Sequence, residues 1–289
     1  MSDFCVSAVD DTQVGDEAVP SPSMSTSVQS GASVGDLLRK WRQHRRLSQL
    51  DLSIQADIST RHLSFVETGR SVPSRDMVLL LAEELDMPLR ERNQLLVAAG
   101  YAPIYPENTL DSPPMAAVRD AVRQVLTGHE PYPAVAVDRY WNMVDSNGSI
   151  AIMLDGVAPQ LLEPPVNALR LSLHPDGMAP HIINLGEWRG HLLSRLRRQV
   201  EQTADPKLVA LLDELTALPC DDEVPAIELP GPGDVLVPLR MRHPDGDLSF
   251  FSTVTTFGTP LDITIAELVL EAFYPADTAT AKILRGEVA

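Results

Sequence analysis

The sequence predicts an α+β chain of two domains, an all-helical head of five helices followed by a larger part in which helices cover an antiparallel sheet. Three observations predict it. Between Leu47 and Gly69 two short helices are written one after the other, each with its own start signal. From Tyr101 to Pro114 four prolines (Pro103, Pro106, Pro113, Pro114) stand in a stretch without period, which marks a semi-rigid linker. Beyond it, runs such as Ala134–Val137 and Leu248–Thr256 have strand character, and His243-Pro244-Asp245-Gly246-Asp247 supplies a hairpin turn.

In chain order, residues 1–32 are rich in Ser, Val, Asp and Gly without helical or strand period, and are expected to form a disordered acidic tail. The head then spans residues 33–100. Val34 to His44 is its first helix, apolar at Val34, Leu37, Leu38 and Trp41. The basic residues Arg39, Lys40, Arg42, Arg45 and Arg46 are expected to lie against phosphates. Ser48 is placed to cap the second helix, with Asp51 completing a capping box and Leu47 and Leu52 at staple positions. Ser59 caps the third, Ile58 and Leu63 repeat the staple, and Gly69 can take positive φ past its end. Two capped helices about three residues apart make a helix-turn-helix. On the second of them Leu63 and Val66 face a core, while Thr60, Arg61, Ser64 and Phe65 form an outward strip. Hydroxyls, a guanidinium and an aromatic ring suit the base edges of a major groove. Ser74–Leu85 and Leu89–Ala99 complete the five, separated by Asp86-Met87-Pro88 and closed by Gly100.

From Val34 to Ala99 the pattern resembles the lambda-repressor and Cro-like (XRE) helix-turn-helix family. The resemblance is carried by Ser48-Gln49, Leu52, Ala56, Ile58-Ser59, Leu63, Val66-Glu67-Thr68-Gly69-Arg70 and Pro73-Ser74. It implies that Gln49 meets the DNA backbone or a base, that Thr60, Arg61, Ser64 and Phe65 face the groove, and that Arg70 joins them. Asp57 stands where the turn usually has glycine, a place aspartate tolerates better than most residues. Ser53 replaces a small alanine.

Charge follows the same division. The 289 residues carry a formal −17, with a pI near 4.7. Yet residues 33–75 hold eight Lys/Arg against four acids, and residues 1–32 hold five acids and no base. The positive charge gathers where the motif expects a polyanion, and the acidic remainder would be held away from it. Cys5 and Cys220 lie far apart with no metal-ligand spacing, which fits a reduced cytoplasm. No apolar run reaches the ~20 residues of a membrane span, and the first residues lack the basic start and apolar core of a signal peptide, so none is expected.

After the linker a helix is expected from Met115 to Leu126, with Val118, Val122, Val125 and Leu126 on one side. Ala134–Val137 and Trp141–Val144 are strands around the turn Asp138-Arg139-Tyr140, and Asn147–Leu154 is a helix. Helical segments follow at Val166–Leu173, Ala179–Asn184, Trp188–Gln202 and Lys207–Leu218. Strands at Val235–Arg242, Leu248–Thr256 and Leu268–Phe273 close a sheet expected to be covered on one side, an order that looks like a PAS domain. The pieces resemble the MmyB-like ligand-binding domain, here residues 115–285. The carrying residues are Pro133–Trp141, Pro165–Leu171, Asn184–Trp188 and Asp245–Ser252. The resemblance implies a transcriptional regulator, a homodimer on double-stranded DNA, whose PAS-like domain takes an apolar ligand with fatty acyl groups the leading class.

Few residues suggest catalysis. His-Pro-Asp-Gly occurs at His174–Gly177 and His243–Gly246, where proline and glycine make turns rather than metal sites. Glu187 and His191 are spaced for an i, i+4 ion pair. No G-x-S-x-G, phosphate-cradling loop or H-E-x-x-H occurs, so no enzyme, cofactor or metal is expected. A pocket could be walled by Val135, Val137, Val237, Leu239, Phe250, Ser252, Val254 and Leu270, under a lid of Leu169, Leu173, Ile182, Trp188, Leu192 and Leu196. Within that set Asn167, Arg170, His174, Trp188, Phe250 and Ser252 are the expected ligand contacts, Arg170 binding a carboxylate head. The rival reading is a DNA-binding adaptor whose second domain serves only dimerisation or protein contact, with no ligand.

Overall fold

The computed structural model describes residues 32–287 apart from 204, 221 and 223–236. The expected tail with Cys5, and the first residues of the strand expected from Val235, lie outside the described residues.

The head has five helices: α1 (Val34–His44), α2 (Gln49–Gln55), α3 (Thr60–Glu67), α4 (Arg75–Glu84) and α5 (Leu89–Ala98). Ser33, Ser48, Ser59 and Ser74 each accept a backbone N–H of the first turn they precede, satisfying a donor that has no partner within the helix. The box at Ser48 and Asp51 is present in both directions. Asp57 turns the chain between α2 and α3 at φ 50°, and Gly69 leaves α3 at φ 71°. Leu38, Leu52, Leu63, Val66, Leu81, Leu85, Leu95 and Leu96 are fully buried and form one core. Gly35 lets α1 meet the end of α3: a Cβ there would stand 2.6 Å from the carbonyl oxygens of both Val66 and Glu67.

The proline-rich stretch packs along its length rather than standing free. Tyr101 and Ile104 pack on the head's core, and Asn93 bonds the backbone of Ile104 and Tyr105. A few residues on, the Pro106 carbonyl accepts from Ile263 N–H, and Asn108 donates to Asp262. The linker is stitched to both domains.

The second domain contains α6 (Ala116–Gly128), β1 (Ala134–Val137), β2 (Met143–Ser146), α7 (Ala151–Leu154), α8 (Ala168–Leu173), α9 (Leu185–Thr203), α10 (Pro206–Ala217), β3 (Leu239–Met241), β4 (Leu248–Thr255), α11 (Ile263–Ala266), β5 (Val269–Pro275) and α12 (Thr278–Leu284). The strands form one antiparallel sheet in the order β2-β1-β5-β4-β3. Its larger core holds Val135, Val137, Trp188, Leu192, Leu196, Leu239, Phe250 and Phe273, between the sheet and α7 to α10.

Several expectations need correction. The sheet is not covered on one side alone: α6 packs Val122 and Leu126 against Ala134, Ala136, Leu268 and Leu270 on the opposite face. Val125 is exposed, because the α6 stripe that meets the sheet runs through Val118, Val122 and Leu126. Trp141 lies outside a strand at φ 66°, closing the turn that begins at Asp138. Leu270 is out of phase with the larger core and faces α6, whereas Val254 shares the phase of Phe250 but lies farther along β4, where it is exposed. Ala179–Asn184 is only a short 3-10 turn, and α11 and α12 were not anticipated. Both are short helices started by an aspartate cap, a weak signal in a chain with many aspartates.

Candidate nucleic-acid interface and apolar cavity

The second helix of the helix-turn-helix, α3, presents Arg61 fully outward and Ser64 and Phe65 partly so, while Leu63 and Val66 anchor it below. Phe65 lies between two cations: the guanidinium carbons of Arg61 and Arg70 stand 5.2 Å and 5.9 Å from its ring centroid. The ring's negative face attracts both, a modest stabilisation at an exposed site. Thr60 is less free than its position suggests. Its hydroxyl and that of Ser53 are 2.8 Å apart, and Ser53 already donates to the Leu50 carbonyl. Thr60 must therefore be the donor, leaving its methyl and a lone pair for a base.

Beneath α3 sits a buried ion pair. Arg42 donates to both oxygens of Glu67, at 2.6 Å and 2.9 Å, and Gln49 donates to the second oxygen at 2.8 Å. Burial pushes the Glu67 carboxyl up, but the bonds from Arg42 and Gln49 and the charges of Arg42 and Arg39 hold it below its usual range. Gln49 is thereby fixed at the start of α2 with its amide oxygen and one N–H unspent.

This arrangement corrects the expected phosphate contacts of α1. Arg42 is consumed by Glu67, Arg39 donates to the Glu67 carbonyl, and Arg45 donates to the carbonyls of Leu85 and Asp86. Those arginines join helices. Lys40, Arg46, Arg61, Arg70 and Arg75 remain exposed.

The second domain holds a partly open cavity of about 70 Å³ between the sheet and α7 to α9. Val135, Val137, Leu239, Glu271 and Phe273 wall it from the sheet side, Met153, Leu169, Trp188 and Leu192 from the helices, and Met178 from the turn after α8, with Trp141 and Met143 beside β1. Trp188 donates to Ser172, another wall residue, at 2.8 Å. Glu271 accepts from Arg195 at 2.9 Å, and the Arg195 guanidinium carbon lies 4.8 Å from the Trp141 ring centroid.

Of the six expected ligand contacts, Trp188 lines this cavity and the others do not. Arg170 makes a two-pronged pair with Glu214 at 2.6 Å and 2.7 Å, its side chain 40% exposed, so it is not aimed at the cavity. Asn167 is buried, but caps α8 and donates to the Tyr140 carbonyl. His174 ends α8 and accepts the Asp176 N–H, as part of a turn. Phe250 is fully buried in the adjoining core, and Ser252 lies on β4 outside the cavity wall. The expected Glu187–His191 pair is also absent: Asn184 donates to Glu187, and His191 stacks on Trp188. Burial beside Trp188, reinforced by Arg195, pushes the His191 pKa down. The cation that the structure brings to the cavity wall is Arg195, through Glu271 and Trp141. Sequence reasoning passed over both charges because it sought apolar strand positions. Glu271 nevertheless shares the β5 phase of Val269 and Phe273.

The two domains meet at a charged cluster. Arg90 of α5 makes two bonds to Glu267, both 3.0 Å, and Arg139 reaches the same carboxylate at 2.9 Å and Asp205 at 2.6 Å. Glu91 is buried there with one oxygen unbonded, and burial raises its pKa against the pull of Arg139. Among the described residues no three His, Cys, Asp or Glu side chains converge as a metal site, and no helix is long and apolar enough to cross a membrane.

Residues 118–286 match the MmyB-like transcription regulator ligand binding domain, and residues 33–95 match a helix-turn-helix domain. A protein of Methanoculleus marisnigri that bears the description of an HTH-type transcriptional regulatory protein is 34% identical over 111 residues. The match covers 37% of this chain and 35% of that relative, so the chain spans about a third of the relative's length.

Proposed function

The chain belongs to the family of MmyB-like transcription regulators, and from this premise we propose that it binds specific duplex sites and that an apolar ligand in its second domain modulates that binding. The observation that carries the DNA reading is the exposed strip of α3, with Arg61 and Arg70 held on Phe65 above a capped and buried motif. Gln49, Thr60, Arg61, Ser64, Phe65 and Arg70 are the proposed contacts, with Arg46 and Lys40 available to phosphates. A homodimer would set two α3 helices about one duplex turn apart, roughly 34 Å. Such a protein works in the cytoplasm, and no catalytic role is proposed for it.

For the ligand, an apolar lining with few polar groups favours an apolar molecule, and fatty acyl groups remain the leading class. The cavity's 70 Å³ seats a few carbons. A longer chain requires Met143, Met153 and Met178 to turn, which their unbranched side chains allow. That small volume also favours the second reading, in which the domain has a filled core and serves dimerisation alone.

Selection of duplexes from a random pool tests the DNA claim. Arg61→Ala should relax preference at one base position by about 1–3 kcal/mol, whereas a uniform loss would assign Arg61 to phosphate. Native mass spectrometry of the purified chain reports oligomer and retained acyl ligand together. A monomer without ligand, and without thermal shift on adding decanoate or palmitate, would rule out this ligand reading.

A further inference from the structure

Trp141 faces two ways. Its ring forms part of the cavity wall, and its indole N–H donates 2.8 Å to the Gln199 side-chain oxygen. The amide nitrogen of Gln199 donates 2.7 Å to the Arg139 carbonyl. The Arg139 side chain, only 9% exposed, then bonds Glu267, which holds Arg90 of α5. Each link is a directed bond between buried or half-buried groups. They connect the cavity to a helix whose Leu95 and Leu96 share a core with Leu63 and Val66 of α3.

A second observation makes the start of this route able to switch. Trp141 has φ 66°, a left-handed backbone that is unfavourable for a large side chain. It is held there by its N–H to the Asp138 carbonyl, by its own carbonyl accepting from Ala168, and by Gln199. An occupant that displaces the indole removes the Gln199 bond and lets the turn from Asp138 to Trp141 change conformation. Arg139 lies within that turn.

We propose that Trp141 senses occupancy of the cavity and that Gln199 and Arg139 transmit it to α5, changing the affinity of α3 for DNA. The proposal rests on the reading above that the cavity takes a ligand and α3 takes DNA. Arg139 and Gln199 are positioning residues, since they touch neither. Coupling of this kind needs an occupant that prefers one arrangement of Trp141 over the other.

The test uses the full chain, a duplex selected from a random pool, and decanoate and palmitate as probes. Fatty acid should change the DNA affinity of the unaltered chain about fivefold or more. Gln199→Leu should bind fatty acid and, without it, DNA within about twofold of the unaltered chain, but the fatty-acid effect on DNA should shrink below about twofold. A merely structural role would weaken binding without changing that ratio. An undiminished effect in Gln199→Leu overturns the relay. If neither probe binds, the ligand class is wrong, and a side chain replaces the ligand: Ala168→Leu, or Met153→Trp should the first not fold, fills the cavity directly. A change in DNA affinity that Gln199→Leu abolishes supports the relay. The same change on both backgrounds, or none on either, overturns it.

Discussion

Glu67→Ala would expose what the buried pair under α3 contributes. The Glu67 side chain has no exposed surface and that of Arg42 only 11%, so removing the carboxylate leaves a guanidinium in the core with the Leu47 carbonyl as its remaining acceptor. Breaking one side of such a pair costs about 3–5 kcal/mol, chiefly from the uncompensated charge. Gln49 loses its bond as well, adding about 1 kcal/mol. For a unit of this size each kcal/mol is worth about 4–8 °C, so the head should melt at least ~12 °C lower. Arg42→Met combined with Glu67→Leu removes both charges and should recover most of that loss. Urea unfolding followed by hydrogen exchange in α1 and α3 separates the head from the rest. The reasoning is refuted if Glu67→Ala costs under about 1 kcal/mol, or if the double variant is no more stable than the single one.

Other outcomes follow from the same geometry. Gly35→Ala should destabilise the head by about 1–3 kcal/mol by forcing α1 off the end of α3, and should lower DNA affinity for all sequences alike, measured by titration against several duplexes. Arg170→Ala should cost less than about 1 kcal/mol in a thermal melt and leave acyl binding unchanged, since its exposed pair with Glu214 lies outside the cavity. His191 is kept neutral by burial, so its stabilising contribution is present above pH 6.5 and lost as pH falls through 6.5 toward its lowered folded value. Melting between pH 7.5 and pH 5 should fall, and His191→Phe should flatten part of that fall; His44, also lowered by burial, supplies some of the remainder.

The head was legible because its instructions are local. Serine caps, a capping box and a positive-φ exit lie within a few residues of the helices they bound, and the structure places them where spacing puts them. Strand existence was also legible, but the roles of side chains were not. Arg42 reads as a surface base until Glu67, 25 residues away, folds against it. Arg170 reads as a head-group binder until Glu214, 44 residues away, claims it. Partners at such distances carry no local spacing signal. The cavity wall was missed in part for a different reason: Glu271 is charged, and only the β5 register shows that it alternates with Leu270 toward the interior.

The four residues of β1 form a partition between two separate interiors, and bulk is divided unequally across it. Ala134 and Ala136 point toward α6, where short side chains let a helix lie close to the sheet. Val135 and Val137 point toward the chamber and set how much of it is filled. Trimming Val135 would widen the chamber without disturbing α6, whereas enlarging Ala136 would lift the helix and leave the chamber unchanged. The dimensions of this room are therefore adjustable one methyl at a time, without redesign of the building around it.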